Sequence, residues 1–217
     1  VKYPFILWRF CLKGKIYFVN LVDKLLLGLS VLFSLISTGI SWMLFKGSGL
    51  WFMSLGFAAS LLLSLVIFRQ GLQVLWEKYF VLLSCLYPLG LNLGLVAIFF
   101  QEKRTLFSAF AFFGLLFVLM AHSYSKDWGS FAVALVHAGA GMSIFIIPVV
   151  AVGRGVAPHG FLWFSAGAVA MALMGSGLLY YFSVPEERRK PVFLKGVPLG
   201  LFLGSFFFSL GLYGLLK

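Results

Sequence analysis

The chain has 217 residues, 62% of them hydrophobic and 11% charged, with a formal net charge of +11. A soluble domain of this length carries about a quarter charged residues on its surface, so a water-soluble fold is excluded, and the mean hydropathy of +1.04 agrees. The basic excess fits a membrane protein that keeps Lys and Arg beside anionic headgroups, and nucleic-acid binding is not expected.

Residues 1–24 read as a basic amphipathic segment lying on the membrane surface. Lys2, Arg9, Lys13, Asn20 and Lys24 recur at steps of seven and four on one helical stripe, with Trp8, Leu12 and Val19 off it. Lys15 breaks the pattern, and Pro4 and Gly14 lower the helix propensity. Arg9, Lys13 and Lys15 interrupt the apolar run, so no cleavable signal peptide is expected here.

Residues 25–217 read as a single all-α transmembrane bundle. A span needs about 20 apolar residues, and seven runs qualify: Leu25–Phe45, Leu50–Phe68, Tyr79–Phe100, Thr105–Ser123, Ser130–Val152, Gly160–Phe182 and Val197–Leu216. They are too long, and lack the alternation, for barrel strands.

Small residues mark the expected helix contacts. The first span carries Ser30, Ser34, Ser37 and Ser41 on one face, and the second Gly56, Ser60 and Ser64. Gly90 and Gly94 serve the third, Ala168, Ala172 and Ser176 the sixth, and Gly196, Gly200, Gly204 and Gly211 the seventh.

The third span also places Cys85, Pro88 and Asn92 on one face at i, i+3 and i+7. Pro88 removes a backbone donor and frees the Ser84 carbonyl. Asn92 one turn on is a polar amide inside the membrane, either a ligand contact or a bridge to a neighbouring helix.

The fourth span ends at His122, and the fifth carries His137 followed by small residues from Ala138 to Gly141. Two histidines on adjacent antiparallel helices are the starting requirement for bis-imidazole haem ligation, although His137 lies about 10 Å into its span. A quinone hydrogen-bonded by His137 is a second possibility, and a structural histidine a third. His122 and Asp127 match the His-x4-Asp spacing of glycerolipid acyltransferases, in which the Asp would orient a His base. The match is short and stands without the rest of such a domain. Cys11 and Cys85 are not expected to pair, and His159 falls in a loop on the opposite face from His122.

Counting Lys and Arg on the two sides gives twelve against five, which places the N-terminus in the cytoplasm. Trp42, Trp51, Trp76, Trp128 and Trp163 sit near span ends, at headgroup level. The Glu186–Lys190 run between Pro185 and Pro191 reads as a topology signal. The compact loops suit a bacterial or archaeal inner membrane.

All six acidic residues lie at span ends or in loops, and neither HExxH, a P-loop nor GxSxG occurs. Self-sufficient pumping or catalysis is therefore not expected, since such machinery places charge relays or metal-binding carboxylates in the membrane. In build the chain resembles the membrane-anchor subunits of respiratory oxidoreductases, a likeness of architecture without a shared motif. That resemblance implies protein partners and contact with quinone; the candidate ligand-binding residues, read from the spans themselves, are His137, Asn92, His122 and Cys85. A passive channel lined by the Pro88–Asn92 face, or a lipid-modifying enzyme using His122 and Asp127, are the competing expectations.

Overall fold

The computed structural model describes residues 19–76, 78–184 and 192–217. Among them are seven long helices: α1 (Leu21–Leu44), α2 (Gly47–Gln70), α3 (Lys78–Phe99), α4 (Arg104–Tyr124), α5 (Lys126–Gly153), α6 (Leu162–Ser183) and α7 (Val192–Gly214). Each contains a segment long and apolar enough to cross a bilayer, so this is a multi-pass membrane protein. Residues 1–18, and with them most of the expected interfacial helix, lie outside the described residues, as does the Glu186–Lys190 run.

Helices outlast their apolar cores because a helix ends at a cap, whereas hydropathy marks only the hydrocarbon. The clearest case is α1, which starts at Leu21 and not at Leu25. Asn20 Oδ1 accepts the Asp23 N–H at 2.8 Å, and the Asn20 N–H donates to Asp23 Oδ2 at 3.2 Å, a reciprocal cap. Asn20 and Lys24, read from the sequence as part of the surface stripe, therefore belong to the start of a spanning helix. Similarly, Ser125 Oγ accepts the Trp128 N–H at 3.2 Å and starts α5 ahead of its apolar run. The seventh helix begins at Val192, five residues before the expected Val197, and accommodates Pro198 inside it.

The helices close into a ring in the order α1, α2, α3, α5, α6, α7 and back to α1, with α4 outside against α3 and α5. Burial follows from this placement. In the most apolar window of α3, 61% of residues are buried inside the protein, against 17% for α4.

Glycines set the closest approaches. A Cβ on Gly90 would lie 2.6 Å from Gly56 N and 2.7 Å from Gly56 Cα, so α2 and α3 meet backbone to backbone. Gly94 receives Met53, Gly200 and Gly204 receive Met174 and Met171 of α6, and Gly211 lies against Phe164. Gly196 meets nothing within 4 Å, so the expected contact face of α7 starts one turn later. Ala172 and Ser176 are exposed, and only Ala168 of the expected α6 face is buried.

Gly90→Val should lower the stability of the detergent-solubilised protein by about 3 kcal/mol or more, because backbone atoms of α2 must retreat. Gly141→Ala, where nothing lies within 4 Å, should be neutral or stabilising by up to about 1 kcal/mol. Thermal unfolding of the two variants checks both.

Candidate functional site

The face of α1 that carries Ser30, Ser34, Ser37 and Ser41 is fully buried, and of its four hydroxyls all but that of Ser41 are hydrogen-bonded. It meets Ser60 and Ser64 of α2 and two residues that sequence reasoning passed over, Ser205 and Ser209 of α7. Ser30 Oγ lies 2.9 Å from Ser64 Oγ and 3.2 Å from Ser205 Oγ. Ser34 donates to Ser60 at 3.1 Å, Ser60 lies 3.2 Å from Ser205, and Ser34 lies 3.3 Å from Ser205. One turn further along, Ser37 and Ser209 are 2.6 Å apart, and Ser209 is also within 3.0 Å of the Phe33 carbonyl. A lone serine in a membrane helix is commonplace. Here the i, i+4 pair Ser205 and Ser209, directly after Gly204, was the signal that α7 presents hydroxyls to a partner.

Beside this hydroxyl core stands Tyr87 of α3, 2% exposed. Its phenol approaches Ser60 and Ser205 and lies 3.8 Å from the Cβ position of Gly204, but makes no hydrogen bond of good geometry. From Tyr87 an aromatic column runs toward the Phe99 end of the bundle. Tyr87 and Phe208 are 6.2 Å apart edge to face, Phe208 and Phe164 4.5 Å, Phe164 and Phe161 5.6 Å, and Phe161 and Phe99 5.2 Å. This column links α3 to α7 and to the start of α6.

The sequence-predicted site residues are only partly brought together. Cys85 is fully buried, and its Sγ lies 3.9 Å from His137 Nδ1 across the α3–α5 contact. His137 Nδ1 also lies 2.9 Å from the Val133 carbonyl oxygen, and the ring faces the Ser84 carbonyl. That second carbonyl is the acceptor that Pro88 leaves without an in-helix donor. A neutral imidazole has one N–H and serves one of the two carbonyls at a time. The contact at 2.9 Å is the one to Val133 in the imidazole's own helix, with the Ser84 carbonyl as the alternative acceptor across the α3–α5 contact.

Asn92 is 1% exposed, and neither its amide nitrogen nor its amide oxygen has a hydrogen-bond partner in the protein. A hydrogen-bonded bridge from Asn92 to a neighbouring helix is therefore not formed.

His122 lies against the backbone of α5 at Gly129, where an added Cβ would meet its Nδ1 at 2.6 Å. Gly129 precedes His137 by eight residues, about 12 Å along the helix. That offset does not bring the two imidazoles to opposite faces of one haem. The side chain of Asp127 lies outside the described residues, and His159 is exposed in a turn before α6. Among the described residues no three His, Cys, Asp or Glu side chains gather into a metal site.

The fold and these groups define an α-helical, multi-pass membrane bundle with a hydroxyl core. Comparison with the descriptions of known families, with curated proteins and with solved structures finds no match.

Ser205→Ala should destabilise the bundle by about 1–2 kcal/mol, because Ser205 is the hydroxyl shared by Ser30, Ser34 and Ser60. A double-mutant cycle with Ser30→Ala should show coupling between the two positions. Asn92→Leu replaces an unpartnered amide by an apolar group of similar shape. It should leave the melting temperature unchanged or raise it, since burying such an amide costs about 1–3 kcal/mol. A clear fall in melting temperature would reveal that a bound molecule satisfies the amide.

Proposed function

We propose that this chain is a membrane-embedded subunit of a larger assembly, of the respiratory or quinone-linked kind. In this reading it sits in a cell inner membrane with its N-terminus in the cytoplasm, the orientation favoured by the Lys and Arg distribution. The observation that carries it is how the intramembrane polar groups are engaged. Serines of α1, α2 and α7 bond one another, and His137 bonds within the bundle. Among the described acidic side chains, Asp23 stands in the first turn of α1 and Glu102 just before α4. A pump or enzyme working alone needs groups free to meet a substrate, so the chemistry here falls to a partner. Among the buried groups without a partner, which include the Ser41, Ser54 and Tyr87 hydroxyls, the Asn92 amide is the one on a helix packed against that of His137, and it would hydrogen-bond a quinone carbonyl.

The competing readings find less support. The aromatic contacts join α3, α6 and α7 across the ring of helices, which disfavours an open path between them, and His122 is turned onto the Gly129 backbone.

Extraction of the tagged chain from its native membrane in mild detergent, followed by mass spectrometry, tests the proposal. Stoichiometric redox or catalytic subunits are expected. Recovery of the chain alone, as monomer or homo-oligomer, would overturn it.

A further inference from the structure

At the end of the bundle where α1 and α3 finish, a cleft of about 440 Å³ opens between the α1–α2 turn and the start of α4. Its lining combines two chemistries. Leu44, Phe45 and Ile98 give an apolar wall, while Lys46, Gln101 and Arg104 give a polar one that contains two cations and no acid. Three elements supply these groups, and a hydrogen bond sets their spacing: Arg104 Nη1 donates to Ser48 Oγ at 3.1 Å, which holds the guanidinium over the cleft and next to the start of α2. Glu102, the nearest acidic residue in sequence, is exposed and does not line the cleft.

Depth points the same way. Trp42 and Trp51, one on each side of the α1–α2 turn, pack edge to face at 6.0 Å and are 56% and 65% exposed. Exposed indoles of this kind settle at headgroup level, so the cleft lies where phosphates of the bilayer lie. The first turn of α2 adds to the field, because Lys46 at its N-cap makes no side-chain cap bond.

We propose that this cleft binds the phosphate ester of an anionic phospholipid. The phosphate sits between Lys46 and Arg104, where a planar guanidinium and an ammonium meet its oxygens. The glycerol and acyl portion lies along Leu44, Phe45 and Ile98. The level of the cleft in the bilayer, with a small apolar edge beside its cations, favours a lipid phosphate over a free anion.

Native mass spectrometry of the full chain in detergent, titrated with phosphatidylglycerol, phosphatidylcholine or inorganic phosphate, tests this. Wild type should retain phosphatidylglycerol in preference to phosphatidylcholine. Lys46→Gln combined with Arg104→Gln should weaken phosphatidylglycerol retention about tenfold or more. Lys46→Glu alone, a change at an exposed side chain, should weaken it in the same direction. Lys103→Gln, adjacent in sequence but outside the cleft, should leave it unchanged. Displacement of phosphatidylglycerol by millimolar inorganic phosphate, with the same dependence on Lys46 and Arg104, would assign the site to a free phosphate and overturn the lipid assignment. Equal retention by wild type and the double variant, or an equal loss in Lys103→Gln, would overturn the site altogether.

Discussion

A hydroxyl inside the hydrocarbon of a bilayer has no water to bond with, so its partner must be protein. In this chain that constraint falls on the meeting of α1, α2 and α7, where Ser205 stands within 3.3 Å of Ser30, Ser34 and Ser60. The contact joins the first helix to the seventh and thereby closes the ring. The rest of the interior is arranged from there. With α7 held, Phe208 lies against both Phe164 and Tyr87, and Gly200 and Gly204 face the methionines of α6.

Two kinds of adhesion divide the bundle. On the α1–α2–α7 side, directional hydrogen bonds fix the helices in rotation and in register. Between α2 and α3, and between α6 and α7, adhesion is by shape, with glycines admitting a neighbour's backbone or a flexible methionine. Tyr87 stands where the two regimes meet: its ring belongs to the aromatic column and its hydroxyl faces the serines. Asn92 belongs to neither, being as buried as the serines but without their partners.

Much of the fold was legible because spanning a bilayer imposes a length and a composition that no soluble helix shares. All seven spans were placed within a few residues, and the serine face of α1 was identified from spacing alone. Helix ends were less legible, because Asn20 and Ser125 act through cap geometry and not through hydropathy. The partners of polar residues were least legible. Nothing in the sequence around Cys85 says that His137, 52 residues away, lies 3.9 Å from it. The cationic cleft was hidden for a related reason: Lys46 and Arg104 counted only as topology charges until the fold set the α1–α2 turn beside the start of α4.

The serine core also bears on how the protein is built. Ser30 and Ser205 are separated by 175 positions, so α1 and α2 enter the membrane long before α7 leaves the ribosome. During that interval their hydroxyls are not stranded, because a helical serine can turn back onto the carbonyl one turn before it. Ser209 still does this in the finished bundle, with its Oγ 2.8 Å from the Ser205 carbonyl. A longer amide or a carboxylate at these positions would be a stickier waiting partner, prone to capture whichever helix arrived first. Serine is adhesive enough to seal the ring and self-sufficient enough to wait for the correct neighbour, which suits a junction that stays open until α7 arrives.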